Sequence, residues 1–161
     1  HEWLMEQGVY PTTSIAVEKI GRPGYLTWEQ VEKLHQLGFP FISHTWSHKS
    51  LTECTPKELF YELHESRLLL SEKLGEEVLS ICFPRGLFSK NVINVAAESG
   101  YKIGLASIPG NATPLSAFGD ELSIYPRNLV QFSPPSEFNG VLNGAMNFLQ
   151  SYYAKRHFVK S

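Results

Sequence analysis

Four times along the chain an amphipathic stretch runs into a glycine and then into a short apolar, β-branched or aromatic run. The stretches are Trp3–Gln7, Gly8 and Val9–Val17; Trp28–Leu37, Gly38 and Phe39–Ser43; Pro56–Leu74, Gly75 and Val78–Phe83; and Val92–Ser99, Gly100 and Tyr101–Ala106. A glycine just past a helix takes the left-handed conformation that a Cβ resists. The short runs that follow read as buried strands. Leu59, Leu63, Leu70 and Leu74 line one face of the longest helix, and Phe138, Val141, Leu142, Ala145, Leu149 and Tyr153 line a C-terminal one.

Helix starts are marked as well. Thr27 with Gln30 and Thr55 with Glu58 fit the capping box, and Pro56 suits a first helical position. Ser89 and Ser136 are placed to cap the next and the last helix. Ile108–Gly119, rich in Pro, Gly, Asn and Ser, reads as a long loop. A further strand, Ser123–Val130, follows it, and Pro126 inside that run points to an edge, a bulge or irregularity.

Alternating helix and strand predicts an α/β fold with a largely parallel sheet and right-handed crossovers. Both an α/β barrel and a doubly wound open sheet satisfy the pattern, and both bind ligands at the C-terminal ends of their strands. Residues directly after strands are therefore where chemistry is expected. The 161 residues suit one domain, 1–161, with its own core. Hydrophobic residues at 42% and charged ones at 19% place the chain among globular proteins rather than disordered ones. A net charge of −2 gives no electrostatic reason to expect nucleic acid, and no apolar run reaches the roughly 20 residues of a membrane span. Cys54 and Cys82 are the two cysteines, enough for one bridge and too few for a disulfide scaffold. Of the 16 acidic residues 15 are glutamates; the single aspartate is Asp120.

After the strand at 39–43 comes His44-Thr45-Trp46-Ser47-His48. Two imidazoles four residues apart can face one side of a helical turn and share a metal, although the spacing alone also suits two surface or capping histidines. Thr45 and Ser47 offer hydroxyls to orient the rings, and Trp46 offers a wall. This motif resembles the histidine motif of the polysaccharide deacetylases, the NodB-homology domain of carbohydrate esterase family 4. Leu26-Thr27-Trp28-Glu29-Gln30-Val31, Leu37-Gly38, Leu51-Thr52, Phe83-Pro84-Arg85-Gly86, Glu98-Ser99-Gly100-Tyr101-Lys102, Pro109-Gly110-Asn111 and Tyr125-Pro126-Arg127 carry the resemblance in order, to about Val130.

The resemblance implies a distorted (β/α) barrel and a divalent metal, usually zinc, held by two histidines and an aspartate. It implies N-deacetylation of an acetylated amino sugar in a polymer, so the partner is an N-acetylated glycan. By position His44 and His48 are the metal ligands, Trp46 and Arg85 are candidates for touching substrate, and Arg85 and Arg127 are candidate helpers of catalysis. A cell-envelope or secreted location is favoured on the same ground, with the cytoplasm left open.

The sequence departs from the family pattern at three places. An adjacent aspartate pair has no counterpart, which leads to the expectation that the barrel is incomplete at its N-terminus and the chain as given is inactive. Cys82 stands where many members have arginine, and Arg85 replaces an aromatic residue; Cys82 reads as a buried strand cysteine. The acid-bearing leucine-x-histidine is absent, and the one histidine after 106, His157, reads as surface. Arg127 reads as one half of a structural salt bridge. A metal-dependent polysaccharide N-deacetylase domain is the first reading. The second is a catalytically inactive relative that binds glycan or acts as a scaffold in envelope polysaccharide metabolism.

Overall fold

A computed structural model describes residues 2–8, 10–111, 113–115, 118, 121–128 and 135–159, with the backbone alone for residues 2, 4, 135, 137, 138 and 142. Asp120 and the end of the expected strand at 129–130 lie outside the described residues.

Among the described residues five strands form one sheet: β1 (Thr13–Ile15), β2 (Phe41–Ser43), β3 (Ser80–Cys82), β4 (Ile103–Ala106) and β5 (Ser123–Pro126). Every pair is parallel and the spatial order is β1-β2-β3-β4-β5. A doubly wound sheet reverses direction part-way, whereas this order never does, so the barrel alternative holds. Phe39–Ser43 and Val78–Phe83 contain the neighbouring strands β2 and β3, with Ser43 opposite Ile81.

The helices are α1 (Glu2–Glu6), α2 (Trp28–Gln36), α3 (Pro56–Phe60), α4 (Ser66–Leu74), α5 (Lys90–Glu98), α6 (Pro135–Leu142) and α7 (Gln150–His157). Both capping boxes form: Thr27 Oγ1 accepts from Gln30 N while Gln30 Oε1 accepts from Thr27 N, and Thr55 and Glu58 repeat the exchange. Ser89 caps α5 through Val92 N. Gly75 ends α4 at φ 69°.

The helix expected over Pro56–Leu74 runs through, but a π-helical turn at Tyr61–Glu65 joins α3 to α4. The expected C-terminal helix is two. Asn143-Gly144 breaks it, with Gly144 at φ 78°, and Ser136 lies inside α6 rather than at its cap. The expected strand 123–130 is shorter, ending at Pro126, which sits on the edge strand as its missing N–H requires. Cys54 and Cys82 are free thiols.

Val31, Leu63, Leu70, Ile81, Phe83, Ile93 and Tyr101 are buried in one contiguous core between helices and sheet. Among the described residues no helix is long and apolar enough to cross a membrane.

Candidate active site

The C-terminal ends of the strands converge as the fold requires. β1 leads into a 3-10 turn at Val17–Lys19, β2 into His44–His48, β3 into a 3-10 turn at Pro84–Gly86, β4 into Ser107 and β5 into Arg127.

The histidine segment is not a helical turn. Thr45 and His48 take φ values of 69° and 68°, left-handed conformations that are unusual for a β-branched or bulky residue. Tertiary hydrogen bonds hold them there. His44 N donates to Ile15 O at 2.7 Å, Val17 N to Thr45 O at 3.1 Å and Glu18 N to Trp46 O at 2.8 Å. Trp46 N donates to Glu62 O at 3.2 Å. Thr45 itself is fully buried, with its N–H on Ser43 Oγ and its Oγ1 accepting from His48 N. Strain of this kind is retained where surrounding contacts over-determine the backbone.

Glu62 is the buried brace that the sequence did not single out. Its carboxylate is 3% exposed and accepts from Ser47 N at 2.8 Å and from Ser47 Oγ. The π-helical turn at Tyr61–Glu65 frees a carbonyl from the helix ladder, and Glu62 O uses it to take Trp46 N and Ser66 Oγ. The signal available in the sequence was a carboxylate beside Leu59 and Leu63 on the apolar face.

The rings of His44 and His48 lie 4.5 Å apart, centroid to centroid, at 76°. His44 Nδ1 is 2.5 Å from Cys82 O. A carbonyl oxygen only accepts, so Nδ1 carries the proton and Nε2 keeps the free lone pair. Burial pushes the His44 pKa below its ordinary value, against the Cys82 hydrogen bond, with His48 and Arg127 adding in the same direction as burial. The neutral, ε-free imidazole is the form that binds a metal. Both histidines line a cleft of about 600 Å³ whose walls include Ser14, Lys19 and Tyr25.

Trp46 is not in that cleft. It lines a second one with Tyr61 and Glu62. Arg85, exposed and left-handed at φ 57°, joins His48 in a shallow cleft of about 400 Å³, and joins Arg127 and His157 in another of about 460 Å³. Gly86 next to it approaches Ser107 so closely that a Cβ would lie 2.7 Å from Ser107 N. Arg127 makes no ion pair among the described residues; its Nη2 donates to Ser107 Oγ at 2.9 Å, and no carboxylate is among the described residues that line its cleft. His157 is half-buried rather than on open surface, because its Nδ1 donates to Gly86 O at 3.2 Å. Cys82 is buried in β3, and that burial raises its thiol pKa, as suits a packing residue.

Two imidazoles give a metal two nitrogen donors. Among the described residues no third His, Cys, Asp or Glu completes a cluster with them.

The polysaccharide deacetylase profile matches residues 3–104, most of the chain. The chain belongs to the polysaccharide deacetylase family. YxkH of Bacillus subtilis (strain 168), provisionally named a polysaccharide deacetylase, is 28% identical over 110 residues, covering 68% of this chain and 39% of its own length. Among solved structures the Streptococcus pyogenes deacetylase PplD, in complex with acetate, superposes with a TM-score of 0.72 at 25% identity, over 84% of this chain and 60% of that one. A Bacillus cereus polysaccharide deacetylase gives 0.71 at 21% identity, over 81% and 41%, a likeness of fold. The chain thus spans less than two thirds of the length of these relatives. The matched region contains His44, His48, Glu62 and Cys82, while β5 and Arg127 lie beyond it. The fold is accordingly the barrel type of the deacetylases, and the family's chemistry is hydrolysis of a carbon–nitrogen bond.

Proposed function

We propose that His44 and His48 hold a divalent metal, zinc being the first choice, in a site that works on the N-acetyl group of an amino-sugar polymer. The observation that carries this reading is the His44 tautomer. Its Nδ1 proton is committed to Cys82 O, and its neighbour's ring is within 4.5 Å. A metal held there supplies acidified water and a polarised carbonyl. This chain's own residues do the rest that can be assigned. Cys82 O fixes the His44 ring, Thr45 Oγ1 and Glu62 fix the loop that carries His48, and Arg85 brings positive charge to the same mouth. Arg127 sits close enough to lower the His44 pKa and so favours its neutral form.

A second reading is favoured by the single aspartate, Asp120, and by Cys82 at the position where many members carry arginine. A proton-accepting aspartate beside a metal-binding one is not available within this sequence. On that reading the cleft binds acetylated glycan without cleaving it.

Cobalt titration separates metal binding from activity. The wild-type chain is expected to take up one cobalt ion with a visible spectrum of nitrogen ligation, and His44→Ala and His48→Ala are each expected to lose it. No difference between wild type and both variants overturns the metal assignment. Acetate release from an N-acetylglucosamine oligomer, with zinc or cobalt added, then decides between the readings. Release abolished by His44→Ala supports the enzyme; binding of the oligomer with no release supports the glycan-binding relative.

A further inference from the structure

Trp46 and Tyr61 stand 5.1 Å apart, centroid to centroid, with their planes at 57°. They make an aromatic corner in a cleft of about 470 Å³. Tyr61 is 46% exposed, although it belongs to the π-helical turn whose next residue, Glu62, is buried. The corner is rigid from below: the Trp46 backbone is tied at its N–H to Glu62 O and at its carbonyl to Glu18 N. A rigid aromatic shelf loses little conformational entropy when a ligand lies on it.

The cleft shares a wall with one that His48 lines. Ser47, Lys49 and Glu58 line it and also line the shallow cleft that contains His48 and Arg85. His48 in turn lines the larger cleft with His44, where Tyr25 is 57% exposed. Three clefts thus adjoin one another through shared lining residues, from Tyr25 past the two histidines to the Trp46–Tyr61 corner. Aromatic rings flank the candidate centre on both sides.

We propose that the Trp46–Tyr61 corner is a subsite for a pyranose unit of the polymer neighbouring the unit at His44 and His48. The proposal rests on the reading that these clefts take a glycan. A pyranose fits both halves of the lining. Its C–H face packs on an aromatic ring, and its hydroxyls reach the carboxylates and ammonium groups around the rim. Glu18, Glu58 and Glu62 line the cleft with Lys49 and Lys57, and Arg22 pairs with Glu18, so these charges balance. A lining of balanced charge suits a neutral pyranose unit. The two aromatic residues act by positioning the chain, one unit removed from the chemistry.

The test uses the full chain with 15N label. The indole N–H signals of Trp3, Trp28 and Trp46 are assigned with Trp28→Phe and Trp46→Phe, and the His44 and His48 ring signals are followed in the same titration. N-acetylglucosamine hexamer is expected to shift the Trp46 indole and both imidazoles while leaving Trp28 in place. Dimer is expected to bind at least tenfold more weakly. Tyr61→Ala is expected to bring hexamer affinity down to that of the dimer, and Tyr61→Phe to keep it; an unchanged amide spectrum elsewhere certifies folding. Hexamer that shifts the imidazoles but not Trp46 overturns the subsite and leaves the glycan reading standing. Hexamer that shifts none of them defeats the glycan reading itself. A shifted Trp46 without acetate release supports the subsite in a chain that does not hydrolyse.

Discussion

Glu62 is 3% exposed, and a carboxylate so far from water is tolerated only when its oxygens are occupied. Ser47 occupies both, one through its N–H and one through its hydroxyl. Removing the carboxylate leaves a partly buried amide donor without an acceptor, and hydrogen bonds to charged groups are worth more than neutral ones. Glu62→Ala is expected to cost about 2–3 kcal/mol in urea unfolding. Glu62→Gln keeps one acceptor oxygen and lets Ser47 Oγ turn to accept from the amide, so it is expected to cost about 1 kcal/mol. The order of the two variants is the check. Equal costs would show that volume and not hydrogen bonding holds the residue. The same pair is expected to broaden the His48 ring signals in proportion, since Ser47 is its immediate neighbour.

A polar seam joins three elements beneath the site. Ser66 Oγ, at the start of α4, donates to Glu62 O at 2.6 Å and lies 3.2 Å from Ser43 Oγ on β2 and 3.3 Å from Tyr101 Oη. Tyr101 Oη donates to Leu63 O at 3.1 Å, just before β4 begins. Burial pushes the Tyr101 pKa up to about 12 from 10.0, against hydrogen bonds from Ser43 and Ser66 that pull it down. The sign follows. Between pH 10 and 12 the unfolded chain loses this proton and the folded chain keeps it, so the unfolded state binds fewer protons and stability falls as pH rises. The fall is at most about 1.4 kcal/mol per pH unit. Tyr101→Phe is expected to cost about 1–2 kcal/mol at pH 8 and to flatten the decline above pH 10, measured as urea midpoints from pH 8 to 11.5. A decline as steep in the variant as in wild type would assign the alkaline loss to other groups. Elements of this kind were unequally legible. Thr27, Thr55 and Ser89 announced their helices because a cap is decided within four residues. The π-helical turn did not show, because Leu59, Leu63, Leu70 and Leu74 fit an α spacing on either side of it. The break at Asn143-Gly144 was hidden for a related reason: Val141, Ala145 and Leu149 keep a spacing of four across it.

Over the whole molecule the site assembles from residues distant in sequence, and what was local could be read ahead. The His44–His48 pair and its place after β2 were visible in the order of motifs. Its geometry was not, because Thr45 and His48 adopt left-handed backbone against their own preference, under bonds from Ile15, Val17, Glu18 and Glu62. Arg127 shows the same limit: an ion pair suited the residue, but the neighbour that β4 delivers is Ser107. The C-terminal segment is a further long-range tie. Phe88 is fully buried, and its backbone pairs with the chain end, Phe88 N on His157 O at 3.1 Å and Val159 N on Phe88 O at 2.8 Å. Phe158 stacks on Phe118 at 5.0 Å and meets Phe88 edge-on at 5.7 Å, while Phe83 stacks under Phe88 at 5.4 Å. His157 thereby reaches Gly86 O, beside Arg85. Phe158 is only half-buried, so its truncation is expected to cost less than the 3–5 kcal/mol of a full core phenylalanine, about 2 kcal/mol. Phe148, 79% exposed on the preceding 3-10 turn, serves as the control and is expected to change stability by less than about 0.5 kcal/mol. Urea midpoints for Phe158→Ala and Phe148→Ala compare the two. If the segment is a tie and not an appendage, Phe158→Ala also shifts the His157 ring signal toward its solvent position and Phe148→Ala does not. Equal midpoints with an unmoved His157 signal would mean that the chain end holds nothing, and that the Pro84–Gly86 turn is kept in place by Ser107 and the strands alone.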